Sequence, residues 1–276
     1  MMKIKVWKPL VITLLMVCLF SYGFCSGTDK FKRSDFPVVL MYHDIKEIEI
    51  NGFDVSVKDF CQQLDWLASH EYKTLSAHEF VECLTQNTPF PEKSVLITFD
   101  DGYDGVNAYA VPELRKRGMK ATFFIIKNRM GNKLTGYSYL TEQQIKELSA
   151  DPLFSIQSHT LTHVDLTKIS AEQLQDEVAG SKKFFEDLTG TQSEMIAFPT
   201  GYYNKSVLDA VERAGYKASF AVSDQGLYDH EARFSIPRIY MGVIMGKNNM
   251  ELFKKSVLNY KSIPKEAFAQ RFGPLQ

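Results

Sequence analysis

Two neighbouring carboxylates, Asp100 and Asp101, follow a short apolar, β-branched run at residues 94–99. Pro89 and Pro91 bound that run upstream, and it reads as a buried strand. Gly102 comes next and lets the backbone turn. Adjacent carboxylates repel each other, and keeping both charged at a strand end calls for a cation nearby. A divalent metal meets that need: one Asp can ligate it while the other acts as a base on water beside it. The same residues also read as an Asp-Asp-Gly turn between a strand and a helix. This stretch alone leaves both readings open.

His159 and His163 are the second reactive pair. On a helical turn this spacing places both rings on one face, where they can chelate a single ion. The plain alternative is a pair of solvent-facing or capping histidines. An unmatched acid pair at another strand end favours the ligand reading. Asp101, His159 and His163 then make a three-ligand set. Three protein ligands leave positions open for water and substrate, the mark of a catalytic site rather than a structural one. Two further apolar runs end in unusual residues: 37–41 leads into Tyr42-His43-Asp44, and 195–198 into Pro199-Thr200-Gly201.

The elements that must position these groups alternate along the chain. Apolar runs at 37–41, 72–75, 94–99, 121–126, 153–157, 195–198, 217–222 and 235–240 read as strands. Helical spacing appears at 57–69, after Ser76, at 109–117, 141–149, 170–188, 206–214 and 250–259. Ser76 and Thr141 are capping residues, and Gly118, Gly190 and Gly215 are helix ends. Alternation argues for parallel strands with helical crossovers, an α/β fold. The strand number suits a closed (β/α) barrel better than a doubly wound open sheet. In such a barrel the functional groups gather at the carboxyl ends of the strands, so His43, Asp100 with Asp101, His159 with His163, and Thr200 should share one face.

The chain has 276 residues, 45% hydrophobic and 24% charged, which suits one globular domain. With 32 basic and 33 acidic side chains the net charge is −1, and no basic excess points to nucleic acid. Lys3, Lys5 and Lys8 precede an apolar run at 10–20 and the small residues Gly23, Ser26 and Gly27. This is the layout of a secretory signal peptide. The expected organisation is a signal peptide at 1–26, a lead-in segment at 27–36 and a catalytic domain at 37–276. If uncleaved, the N-terminal segment would leave a membrane association; bulky Phe24 argues against lipid attachment at Cys25. The mature protein is expected outside the cytoplasmic membrane. Cys61 and Cys83 remain there, either as a disulfide or as two separate buried thiols.

Thr98-Phe99-Asp100-Asp101-Gly102, with His159-Thr160-Leu161-Thr162-His163, resembles the polysaccharide deacetylase family (carbohydrate esterase family 4). Phe198-Pro199-Thr200-Gly201-Tyr202-Tyr203-Asn204 is similar to its third motif. The resemblance covers residues 37–245. It implies a distorted (β/α) barrel with about seven parallel strands and metal-dependent removal of N- or O-acetyl groups from sugars. It implies Asp100 as general base, Asp101, His159 and His163 as ligands of a divalent ion, and the Thr200 backbone N–H as an oxyanion donor. Zinc is the first choice of ion, with nickel, cobalt or iron(II) as alternatives.

The chain departs from that family in two places. Ile196-Ala197 stand where most members carry an arginine, and no histidine follows His230 where most place their acid. However, Leu40-Met41-Tyr42-His43-Asp44 resembles the early motif of a permuted subgroup, the extracellular poly-N-acetylglucosamine deacetylases. There the acid histidine comes first, which implies His43 as acid. The alternative is a strand-end histidine bonded to Asp44 or backbone. Arg238 would orient Asp100 or form a plain salt bridge. Tyr42, Tyr137, Tyr202 and Tyr203 could stack on sugar rings or be ordinary rim or core tyrosines. His70, His78 and His230 are given no role.

The expected activity is removal of N-acetyl groups from poly-β-1,6-N-acetylglucosamine. The alternatives are peptidoglycan, chitin or acetylated xylan as substrate, or a non-catalytic glycan-binding protein. The expected partner is the acetylated polysaccharide, with no nucleic acid, and the expected state is a monomer.

Overall fold

The computed structural model describes residues 35–49, 51–134, 136–222, 232–242 and 250–260. The expected signal peptide, nearly all of the lead-in segment and His230 lie outside the described residues.

The chain begins with β1 (Val38–Tyr42), then β2 (Asp44–Lys46), β3 (Asp54–Ser56), α1 (Val57–Ser69), β4 (Lys73–Thr74), α2 (Ala77–Gln86) and β5 (Ser94–Phe99). Next come α3 (Val111–Arg117), β6 (Ala121–Ile125), β7 (Lys133–Leu134), β8 (Tyr137–Ser138), α4 (Glu142–Ser149) and β9 (Phe154–Ser158). The remainder is α5 (Ala171–Gln175), α6 (Ser181–Thr189), β10 (Met195–Ala197), α7 (Lys205–Arg213), β11 (Ala218–Phe220), β12 (Ile239–Tyr240) and α8 (Met250–Leu258). Among the described residues no helix is long and apolar enough to cross a membrane.

The main sheet runs β11-β10-β9-β6-β5-β1-β12, with β4 added beside β5, and every pairing in it is parallel. It curls round on itself. The 236–240 segment bridges Phe220 through Ile236 on one side and pairs with β1 through Ile239 and Tyr240 on the other. The result is the expected distorted (β/α) barrel. Its strands are buried on both faces, which is why they read as continuous apolar runs.

Alternate strand residues point to opposite sides of the sheet. Val39, Leu96, Phe124, Met195, Ala197 and Phe220 point inward, where Phe80 and Leu84 of α2 join them. Leu40, Ile97, Phe99, Phe123 and Ile156 point outward, under helices that contribute Phe60, Leu114, Ile145 and Phe185. Ser76, Thr141 and Ser170 each form a capping box. Two neighbouring backbone donors are satisfied at each of these helix starts.

Three details depart from the sequence expectations, and one open alternative is decided. The two-stranded pairs β2–β3 and β7–β8 were not foreseen, because three- and two-residue strands carry no periodicity. The expected helix 170–188 contains a π turn at Asp176–Gly180 between α5 and α6. The last expected strand contracts to Ile239–Tyr240 plus the Ile236 bridge. Cys61 and Cys83 are separate thiols, the second of the two readings left open.

Candidate active site

The parallel register gathers the reactive residues at one edge. Tyr42 is the Cα partner of Phe99, so His43 and Asp100 leave adjacent strands at the same level. The Asp100 N–H donates to Tyr42 O at 2.9 Å. Ser158 pairs with both Ile125 and Ile196, which places His159 beside the Ala197-Phe198 end of β10. The four sets expected to share a face therefore do.

Asp100 is only 2% exposed, and Arg238 is 0% exposed. The guanidinium donates from Nη1 to Oδ1 and from Nη2 to Oδ2, each at 2.7 Å. Its other donors reach Ala221 O and Thr98 Oγ1, both at 3.3 Å. Burial alone would raise the Asp100 pKa, but the charge and hydrogen bonds of Arg238 together with the His159 and His43 charges outweigh it and hold the carboxyl below the usual range. Arg238 is thus paired with Asp100, as either reading of it required, while Ile196 and Ala197 are buried core.

Asp101 Oδ1 lies 3.4 Å from His159 Nε2 and 3.4 Å from His163 Nε2. The candidate ligand atoms of the three residues all lie within 4.8 Å of one another, so they could hold a metal ion. That oxygen is buried, and among the described residues it has no hydrogen-bond partner. His159 Nδ1 faces Ala197 O at 2.8 Å, so the ring donates there and turns its Nε2 toward Asp101. An orphaned carboxylate oxygen between two imidazole nitrogens fits a divalent cation such as zinc. Burial pushes the His163 pKa down to about 4, and the charge of His159 adds to the shift. Burial would also lower His159, but the Asp100 and Asp101 carboxylates reverse that and raise it.

The two histidines do not lie on a helical turn, contrary to the expectation. Thr160 and His163 have φ of 69° and 64°, and a loop folds back to bring the rings together. Glu177, in the π turn, clamps that loop: its Oε2 accepts from the Leu161 N–H at 2.8 Å and the Thr162 N–H at 3.0 Å, and Oε1 accepts from the Thr162 hydroxyl. Asp101 and Thr200 also have positive φ, 70° and 60°. Four of the chain's non-glycine residues in this region of backbone space thus surround the site, where strain is commonly stored. Gly201 has φ of 77°, and a Cβ there would stand 2.4 Å from Val222 Cγ2 and 2.8 Å from the Val222 nitrogen. Only glycine fits the turn that presents the Thr200 peptide.

His43 is half-buried, and its Nδ1 is buried without a hydrogen-bond partner among the described residues. Asp44 does not serve it: Oδ1 accepts from the Ile45 N–H at 2.9 Å, and Oδ2 pairs with Lys46 at 3.4 Å. Instead the His43 ring packs against Phe53 and Tyr240, with centroids 5.2 and 5.7 Å away. Burial lowers its pKa, partly opposed by the Asp101 and Asp100 charges.

Tyr42 and Tyr203 are corrected from candidate sugar contacts to core residues. Tyr42 is 0% exposed, stacks on Phe99 and donates its hydroxyl to Gln63 Oε1 at 2.6 Å. Tyr203 is buried against Phe198. A ring sealed into a core has no face left for a sugar. Tyr202 and Tyr137 are partly exposed and remain candidates. Sequence reasoning missed Glu177, Tyr103 and Arg129. Burial raises the pKa of the Tyr103 hydroxyl, and the nearby Asp101 charge adds to the shift. Arg129 Nη1 stands 3.9 Å from Asp101 Oδ2 and donates to the Tyr139 hydroxyl at 3.0 Å. Glu177 and Arg129 sit beside no motif that would have singled them out, and Tyr103, although it directly follows Gly102, is of a residue type that neither ligates a metal nor serves as a base there.

Comparison with known proteins gives this arrangement its family. A family model for polysaccharide deacetylase matches residues 87–219, which include the acid pair, both histidines and the Thr200 turn. YxkH of Bacillus subtilis (strain 168), named as a candidate polysaccharide deacetylase, is 40% identical over 204 residues, covering 71% of each chain. The poly-β-1,6-N-acetyl-D-glucosamine N-deacetylase of Staphylococcus aureus (strain MRSA252) is 27% identical over 217 residues, 75% of this chain and 74% of that protein. The Streptococcus pyogenes deacetylase PplD, solved with acetate, superposes with a TM-score of 0.67 at 26% identity, covering 86% of this chain and 98% of its own. With a relative this similar along most of both chains, the protein belongs to the polysaccharide deacetylase family of enzymes.

Proposed function

We propose that the chain removes N-acetyl groups from poly-β-1,6-N-acetylglucosamine outside the cytoplasmic membrane, after a signal peptide at 1–26 directs it there. The choice of polymer rests on the likeness to the staphylococcal N-deacetylase and on the His43 motif. The observation that carries the chemistry is the pairing of a buried carboxylate with an orphaned one. Asp100 is held ionised by Arg238, and Asp101 Oδ1 faces two imidazole nitrogens.

In this reading Asp101, His159 and His163 hold zinc or a similar divalent ion. That ion would supply Lewis acidity to the acetyl carbonyl and to the attacking water, so that a weakly basic Asp100 suffices. Asp100 takes the proton from the water, with both its oxygens fixed by Arg238. The Thr200 N–H donates to the oxyanion from its strained turn. His43 delivers a proton to the leaving amine. A lone glycan-binding role would leave the buried Asp100–Arg238 pair without a task beside an open ligand set.

The test is acetate release from β-1,6-linked N-acetylglucosamine oligomers by the zinc-loaded protein, beside Asp100→Asn and His43→Ala. Loss in both variants supports the assigned roles. Activity surviving in His43→Ala moves the acid elsewhere, with His230 next. No acetate from the parent protein, with zinc bound, overturns the choice of polymer and turns to chitin, peptidoglycan and xylan.

A further inference from the structure

Phe53 sits in the loop between β2 and β3 and is 42% exposed. Ile48, Leu134 and Leu258 are the other exposed large hydrophobics among the described residues. Phe53 is the aromatic residue of these four, and its ring centroid lies 5.2 Å from that of His43, the proposed acid. Tyr240 stands edge-on behind it, with centroids 6.3 Å apart and an interplanar angle of 90°.

Residues 51–54, which carry this ring, are tied down by hydrogen bonds. The Phe53 N–H donates to Asn51 Oδ1 at 2.7 Å, and the Asn51 N–H donates to Asp54 Oδ2 at 3.2 Å. Asn51 Nδ2 donates to the Tyr137 hydroxyl. The Tyr240 hydroxyl donates to Gly52 O at 2.5 Å. A Cβ on Gly242 would fall 2.2 Å from the same Gly52 oxygen, so the two backbones touch here. Hydrogen bonds from four side chains and a backbone contact therefore fix a loop that offers an apolar ring to water. A ring present only to cover His43 would gain by turning its remaining surface inward, since exposed apolar area forgoes burial. An apolar ring fixed in advance at the rim of a site suits a ligand, because little ordering is left to do on binding.

We infer that Phe53 is a stacking platform for the pyranose ring of the sugar whose amine leaves. This rests on the reading of His43 as acid. A pyranose has one face of C–H groups, and laying it on an aromatic plane buries that face without stranding a hydroxyl. The ring-to-ring distance to His43 places such a sugar next to the acid. The platform recognises a neutral hexosamine ring and does not by itself distinguish the linkage.

Calorimetric titration of the zinc-loaded protein with short β-1,6-linked N-acetylglucosamine oligomers, and separately with chitin oligomers, tests this. Wild type, Phe53→Ala and Phe53→Tyr are compared, along with hydrolysis of a small acetyl ester that has no sugar. The expected result is that Phe53→Ala weakens oligomer binding by about tenfold, Phe53→Tyr restores it, and ester hydrolysis falls by less than oligomer binding in Phe53→Ala. Unchanged oligomer binding in Phe53→Ala overturns the platform. So does a wild type that binds neither oligomer, or an equal fall in ester hydrolysis, which would mean the site itself had moved. Phe53-dependent binding of chitin oligomers alone supports the platform and rejects the β-1,6 polymer. Phe53-dependent binding without acetate release supports the platform and rejects the deacetylase reading of this chain's site.

Discussion

Arg238 and Asp100 meet as a two-pronged ion pair, Nη1 to Oδ1 and Nη2 to Oδ2 at 2.7 Å each, across 138 positions of sequence. Both side chains are buried, so the pair cannot be weighed as a surface salt bridge. Removing one partner strands a desolvated charge, whereas the intact pair contributes little net stability. Arg238→Met should therefore cost roughly 3–5 kcal/mol in urea unfolding, and Arg238→Lys should recover only part because one ammonium cannot make the fork. Without Arg238, burial would dominate Asp100 and raise its pKa. The acid limb of the pH–rate profile should then move to higher pH. An unmoved limb would reject Asp100 as the base.

Zinc binding should displace a proton near neutral pH, and the proton should come from His159. Its pKa is raised by the Asp100 and Asp101 charges against the effect of burial, while His163 sits at about 4 and is already neutral. A protonated imidazole nitrogen cannot ligate. Zinc affinity should accordingly fall as pH drops below neutrality, long before His163 titrates. Titrations in buffers of different ionisation enthalpy measure the released proton. Exchange with a chelator should abolish acetate release, and added zinc should restore it.

Glu177 holds the loop that folds His163 back onto Asp101, through two backbone N–H groups and one hydroxyl. Glu177→Ala leaves both N–H groups without their acceptor, at a cost of about 2–4 kcal/mol. Its effect on zinc affinity should be of the order seen for groups that support metal ligands, roughly 10–100-fold. Glu177→Gln keeps an acceptor oxygen and should lose much less. Equal zinc affinity in wild type and Glu177→Ala would show that the loop holds its shape unaided.

Asp44 is buried, and desolvation lifts its pKa from 3.8 to about 6 against the pull of Lys46. A carboxyl with a raised folded pKa stabilises the fold most when protonated. Its contribution is complete below about pH 4 and fades as pH rises through about 6. The wild type should lose about 3 kcal/mol over that window relative to Asp44→Asn, whose amide keeps an oxygen for the Ile45 N–H. Urea unfolding of both proteins from pH 4 to pH 8 reads the difference. Parallel stability curves would show that Asp44 does not titrate in that range.

How legible the site was depended on how far apart its parts lie in sequence. The ends of β1, β5, β9 and β10 could be read because each is a local event, an apolar run giving way to polar groups. A parallel sheet then sends all four ends to one edge, so a local reading became a statement about the site. The same locality produced the errors. A spacing of four suggested a helical turn for His159 and His163, but left-handed residues at Thr160 and His163 close the pair by a different path. Tyr42 ends a strand beside His43, which made it a candidate for sugar contact. It is the last outward-facing position of a strand covered by helix, and its ring lies under Phe60.

The sequence by itself determined the alternation of strands and helices, the caps at Ser76 and Thr141, and the residues that could carry the chemistry. These follow from side-chain periodicity and from backbone groups within a few residues of one another. Only the tertiary structure decided that Arg238 serves Asp100, that Glu177 holds the histidine loop, and that Phe53 rather than Tyr42 or Tyr203 faces water beside His43. Those relations join residues brought together by the closing of the sheet and the packing of loops over its edge. No local pattern encodes which of two aromatic rings is buried, because burial is set by what the rest of the chain places above it.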